Sequence, residues 1–157
     1  MKQRPPRFHL ALLNPEIGPN TGNIGRLSLG LGARLHLIHP LGFRTDEKAV
    51  RRAGLDYWKH VDVQEHADAG AFFEWVGARP LHLFSARGAA SYVRCPFERD
   101  SVLLFGRESQ GLPAALVSQH GAFRIPLEPT VRSLNLANAV AVVAYAALQR
   151  VEPVLFD

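Results

Sequence analysis

The chain has 157 residues, 47% of them hydrophobic and 20% charged, a balance suited to one packed globular domain. Its net charge of +4 at pH 7 leans toward a polyanionic partner without requiring one. The single cysteine, Cys95, excludes an internal disulfide and leaves no cluster for structural zinc, so a reduced cytoplasmic setting is expected.

Met1-Lys2-Gln3-Arg4-Pro5-Pro6 is basic but lacks the apolar stretch of a signal peptide. Phe8 to Leu13 reads as a buried strand stopped by Asn14-Pro15. Ile24, Leu27 and Leu31 then recur at helical spacing, with Asn20 or Thr21 available as N-cap and Gly30 and Gly32 ending the helix. Leu35 to Ile38 forms a second strand before Pro40. A short helix is expected from about Asp46 to Ala53, and a weak strand over His60-Val61-Asp62-Val63. Asp68 to Val76 reads as a helix, and Leu81–Phe84 and Val102–Phe105 as strands. Pro113 to Val117 starts another helix, Phe123 to Pro126 makes a last short strand, and a final helix runs from about Leu134 to Arg150. The apolar-leaning part of that helix contains two Asn and falls short of a membrane span, so no membrane partner is expected. This alternation predicts an α/β fold with a mostly parallel sheet and helices on both faces. Ligands of such sheets bind beyond the carboxyl ends of the strands, here the loops after Phe84, Phe105 and Ile125.

Two glycine-bearing segments carry the chemistry, Asn20-Thr21-Gly22-Asn23-Ile24-Gly25-Arg26 and Phe105-Gly106-Arg107-Glu108-Ser109-Gln110-Gly111-Leu112-Pro113. Gly106 and Gly111 are five residues apart, as in the phosphate-binding P-loop. Leu112-Pro113 stand where that loop needs Lys and Ser/Thr, and Gly30-Leu31-Gly32 lacks the third glycine of a dinucleotide fingerprint. A plain strand-to-helix turn with glycine at positive φ explains the second segment equally well in isolation. In the third segment, Arg132-Ser133-Leu134-Asn135-Leu136-Ala137-Asn138-Ala139, either Ser133 or Asn135 is a ready N-cap for the last helix. The seven histidines show no HxxxH or HExxH spacing and are expected to be core or surface residues rather than metal ligands. Lysine occurs only at Lys2, Lys48 and Lys59, whereas arginine clusters at Arg4/Arg7, Arg51/Arg52 and Arg124/Arg132. That bias suits bidentate phosphate contacts, though a GC-rich genome produces it too. Tyr57-Trp58 is either a base-stacking pair or a packed aromatic pair.

Taken in order, the three segments resemble the three motifs of the SPOUT superfamily of RNA methyltransferases, in its ribose 2′-O-methyltransferase branch. Arg51-Arg52-Ala53-Gly54-Leu55-Asp56-Tyr57 is most similar to members of that branch that act on the wobble nucleotide of tRNA. The resemblance implies a C-terminal trefoil knot, one domain spanning 1–157 without an added RNA-binding extension, and a homodimer built on the last helix. It implies S-adenosyl-L-methionine as cofactor, with Phe84, Gly106, Glu108, Gly111, Ile125, Leu127, Ser133 and Asn135 at its pocket. Arg26 takes the position of the family's catalytic arginine, either as general base or as a cationic clamp. Asn20, Asn23, Arg51, Arg52 and Arg132 are RNA-binding candidates, and leucine tRNAs the expected substrates. A different tRNA or rRNA ribose, or a non-catalytic RNA-binding module on the same fold, are the alternatives.

Overall fold

The computed structural model describes residues 4–46, 48 and 55–157. Seven strands form one sheet: β1 (His9–Leu13), β2 (Arg34–Ile38), β3 (Val63–His66), β4 (Leu81–Phe84), β5 (Ala90–Ser91), β6 (Val102–Phe105) and β7 (Phe123–Arg124). Their order is β3-β2-β1-β6-β4-β7-β5, and each strand pairs in parallel with its neighbours. Among the described residues the helices with complete bounds are α1 (Gly18–Leu31), α2 (Ala69–Val76), α3 (Ala114–His120) and α4 (Leu136–Val151).

A parallel sheet must be covered on both faces, and the strand sequences are apolar on both. In β1, Leu10 and Leu12 point into one core while Ala11 and Leu13 point into the other. In β6, Leu103 and Phe105 alternate in the same way with Val102 and Leu104. The first core is closed by Ile24 and Leu31 of α1 and by Val140, Val143, Ala144 and Ala147 of α4. The second is closed by Phe72 and Val76 of α2, with Leu112 and Ala122 from the two ends of the α3 region.

Two expectations need correction. Neither Asn20 nor Thr21 caps α1, because the helix starts earlier, at Gly18, with Pro19 in its first turn and Ile17 at the cap position. Proline's fixed φ suits that turn, and Asn20 and Thr21 are buried inside the helix. The chain around His60 is not a strand: Leu55–His60 forms a 3₁₀ turn, and β3 begins only at Val63. Trp58 packs this turn against the first core, so the chain must bend before it joins the sheet. The two-residue strand β5 and the 3₁₀ turn Tyr92–Arg94 are too short to show any periodicity in the sequence. The helix expected over Asp46 to Ala53 falls mostly outside the described residues.

Three histidines line up across β1, β2 and β3 beneath α2. His9 Nδ1 lies 2.9 Å from His36 Nε2, and His36 Nδ1 lies 2.9 Å from His66 Nε2. At the far end His9 Nε2 meets Asp100 Oδ1 at 2.7 Å. A carboxylate only accepts, so His9 must donate from Nε2 and accept at Nδ1. The same logic passes along the row, and each imidazole donates from Nε2 toward Asp100. Trp75 and Phe72 of α2 pack on these rings. Burial pushes the pKa of all three imidazoles down, His36 to about 2.

Candidate functional site

β4, β6 and β7 end beside one another, and the loops that leave them enclose a cleft of about 880 Å³. That volume lies within the usual range for a small-molecule or cofactor site. Phe84, Gly106, Glu108, Gly111, Ile125, Leu127 and Ser133 all line it. Arg132 borders it as well. Unforeseen lining residues are Ser85, Arg87, Phe105, Arg107 and Phe123, each next to or near an expected one at a strand end. Aromatic and aliphatic walls with a few convergent polar groups suit a flat heterocycle with a polar tail.

The glycine turn owes its sequence to its own closure. A Cβ on Gly106 would lie 2.0 Å from the Gly111 carbonyl carbon and 2.2 Å from the Leu112 nitrogen. The closure of the loop on itself is thus enough to require glycine at position 106. Gly111 has φ +65°, in the left-handed region, and its N–H donates to Arg107 O at 2.8 Å.

Glu108 joins this turn to α1. Its Oε2 accepts the Glu16 N–H at 2.7 Å, and its Oε1 accepts the Ile17 N–H at 3.1 Å. The Ile17 N–H is an orphan donor at the cap position of α1, which has no side-chain cap of its own, and the Glu16 N–H lies one residue before it. The carboxylate therefore caps a helix from a distant loop, where the helix dipole favours a negative charge. Glu16 returns the connection: its Oε1 accepts from the Ser109 N–H at 3.0 Å and from the Ser109 hydroxyl at 2.6 Å. These Ser109 bonds, aided by the Arg107 charge, hold the Glu16 carboxyl below its ordinary pKa.

The third segment enters the same network. Asn135 is the N-cap of α4, its Oδ1 accepting from the Ala137 and Asn138 N–H groups. Its Nδ2 donates to Asn20 Oδ1 at 3.1 Å, and Asn20 Nδ2 points back to Glu108 Oε1 at 3.5 Å. Asn135 thus stands behind the cleft rather than among its lining residues. Ser133, two residues earlier, is left to face the cleft. Residues from three distant stretches of chain meet here: Asn20, Glu108 and Asn135.

Arg26 is exposed on α1 and lies outside the cleft of its own chain. Its guanidinium carbon sits 5.0 Å from the centre of the Tyr57 ring. Asn23, one turn earlier on α1, is also exposed. Arg51 and Arg52 lie outside the described residues.

The strand order and the cleft at the strand ends are shared by many parallel α/β proteins, and the chain's relatives narrow the class. The family model described as SpoU rRNA Methylase matches residues 7–145, and the chain belongs to that family of methyltransferases. Among curated relatives, tRNA (cytidine(34)-2′-O)-methyltransferase of Escherichia coli K12 is 43% identical over 143 residues, covering 89% of this chain and 91% of the relative. The protein of the same name from Aeromonas hydrophila is 45% identical over 139 residues, covering 87% and 89%. A solved structure bearing on the 2-OH methylation of C/U34 on tRNA superposes with TM-score 0.88 at 46% identity, covering 91% of this chain and 95% of that one. An AdoMet-bound rRNA methyltransferase from Sinorhizobium meliloti superposes with TM-score 0.83 at 25% identity, covering 96% of this chain and 58% of that one.

Proposed function

We propose that this chain transfers a methyl group to the ribose 2′-oxygen of the wobble nucleotide, position 34, of tRNA, as its relatives' names describe. The observation that carries this reading is the meeting of Asn20, Glu108 and Asn135 beside a cofactor-sized cleft at the carboxyl ends of β4, β6 and β7. S-adenosylmethionine, when bound, supplies a sulfonium-activated methyl group for direct displacement. The cleft fits that group: Phe84, Ile125 and Leu127 offer apolar walls for an adenine ring, and Gly106, Gly111 and Ser133 offer backbone and hydroxyl partners for its polar tail. Glu108 lines the cleft and ties the turn to α1, and Asn135 acts from behind, holding the start of α4 in place.

Arg26 is the residue for the acceptor. Guanidinium deprotonates only above pH ~12, so at neutral pH it orients the nucleotide and stabilises the developing alkoxide as a cation. It stands outside its own chain's cleft, which favours a homodimer in which Arg26 of one protomer serves the cleft of its partner. The outer face of α4 supports that arrangement, with Val142 and Tyr145 exposed and Leu155 and Phe156 exposed just beyond it. Asn23, Arg132, Arg51 and Arg52 would contribute to the RNA surface, and leucine tRNAs are the proposed substrates. A C-terminal trefoil knot, a single domain over 1–157 and a cytoplasmic setting belong to the same reading. Among the described residues no helix is long and apolar enough to cross a membrane.

The test is direct. Bulk tRNA lacking ribose methylation at the wobble position, incubated with the protein and labelled S-adenosylmethionine, should gain one 2′-O-methyl mark, located by nuclease digestion and mass spectrometry. Methylation of ribosomal RNA or another tRNA position would replace the substrate assignment. Absence of transfer to any RNA, with cofactor bound, would refute the enzyme reading. Light scattering should give twice the 17.3 kDa chain mass, and a fully active monomer would refute the shared site.

A further inference from the structure

We infer that Tyr57 is a positioning residue for Arg26, held in place by Trp58 seated in a notch that Gly25 creates in α1. The inference rests on the proposed role of Arg26, and its geometry can be tested separately from that role.

The notch comes first. A Cβ on Gly25 would stand 2.6 Å from Cζ3 and 2.9 Å from Cε3 of the Trp58 ring, and 3.5 Å from Val61 Cγ2. An indole is rigid and this one packs on the first core, so any larger residue at position 25 must displace it. The Val61 N–H closes the turn onto Trp58 O at 3.1 Å. Leu55–His60 is therefore docked onto α1 at the residue next to Arg26.

Tyr57, adjacent to Trp58, is the outward member of the pair and is 43% exposed. Its ring lies under the Arg26 guanidinium at 5.0 Å, within cation–π range. Among the described residues Arg26 makes no ion pair and no hydrogen bond, and the Tyr57 ring is its one electrostatic partner. Other arginines differ: Arg7 and Arg99 meet Glu152, and Arg34 meets Asp62. The distinction has a chemical consequence. A carboxylate would fix the guanidinium by occupying its N–H donors and neutralising its charge. A π-face fixes the plane of the group and leaves its five donors and full charge for ribose and phosphate. This gives the Tyr57-Trp58 pair distinct tasks, with Trp58 as the anchor and Tyr57 as the platform.

The experiment compares Tyr57→Phe, Tyr57→Leu and Gly25→Ala with the wild-type full chain, using tRNA and S-adenosylmethionine. The first readout is the NMR signal of the Arg26 Nε–H, assigned by its loss in Arg26→Ala. Ring current from Tyr57 should displace this signal, and Tyr57→Leu should return it toward the free-arginine position, while Tyr57→Phe keeps it displaced. The second readout is kcat, expected to fall about fivefold in Tyr57→Leu with KM for S-adenosylmethionine unchanged, and to be kept by Tyr57→Phe. Gly25→Ala, which moves Trp58 and leaves the tyrosine intact, should shift the Arg26 signal and lower kcat in the same direction. An Arg26 signal indifferent to Tyr57→Leu would overturn the contact. A shifted signal with unchanged kcat would overturn the positioning role. Full activity in Arg26→Ala would instead remove the proposed role of Arg26, leaving the NMR result to judge the contact by itself.

Discussion

Replacing His36 with Gln should remove part of this protein's sensitivity to acid. His36 is fully buried at the middle of the histidine row, and desolvation, followed by the neighbouring His9 and His66, takes its pKa from 6.5 to about 2. Above pH 6.5 the imidazole is neutral in both folded and unfolded chains and contributes no pH dependence. As pH falls through 6.5 the unfolded chain takes up a proton that the folded chain refuses, so stability is lost on acidification across the window down to about 2. Between pH 7 and pH 5 one imidazole held neutral in this way costs about 2 kcal/mol of folding stability. Glutamine keeps the polarity of the row, since its Oε1 can accept from His66 Nε2 and its Nε2 can donate to His9 Nδ1, yet it does not titrate. Urea denaturation followed by tryptophan fluorescence at pH 7 and pH 5 measures the loss in each protein. The wild type should lose about 2 kcal/mol more than His36→Gln over that interval. His9 and His66, also pushed down by burial, leave a residual slope in both. Equal losses in the two proteins would show that His36 is not carried neutral into the fold.

Gly106→Val should disrupt the glycine turn itself, because its Cβ would meet Gly111 and Leu112 backbone near 2 Å. Calorimetry should show S-adenosylmethionine affinity lost together with a lowered melting temperature; lost affinity at unchanged stability would refute closure of the turn as the cause. Glu108→Ala should destabilise the fold by about 1 kcal/mol or more through loss of the remote cap on α1, and an unchanged denaturation midpoint would contradict that role. Arg26→Ala should abolish methyl transfer and leave cofactor affinity nearly intact, since the residue lies outside its own chain's cleft. Arg26→Lys, which keeps charge but loses the planar fork, should fall almost as far; activity within a few-fold of wild type would refute the clamp.

What the chain determined by itself was the local and repetitive part. The apolar runs at His9–Leu13, Leu81–Phe84 and Val102–Phe105 are buried on both faces, so they read as parallel strands before any partner is known. The three segments were legible as a site because their order and composition match a family, and Phe84, Gly106, Ile125 and Ser133 do meet in one cleft. Tertiary structure decided what each polar group does once it is there. Glu108 and Asn20 lie 88 residues apart, and only folding brings that carboxylate to the open end of α1, so that a residue of the cleft lining also caps a helix. Gly106 needs no side chain because Gly111 folds against it, a closure invisible in the spacing of two glycines. Gly25 and Trp58 are matched in shape across 33 residues, and His9, His36 and His66 are partners only through the register of three strands. Hydrogen bonds and packing contacts act over a few ångströms in space, whereas periodicity is read along the chain. Sequence therefore discloses which residues face inward, and the fold alone discloses which of them touch.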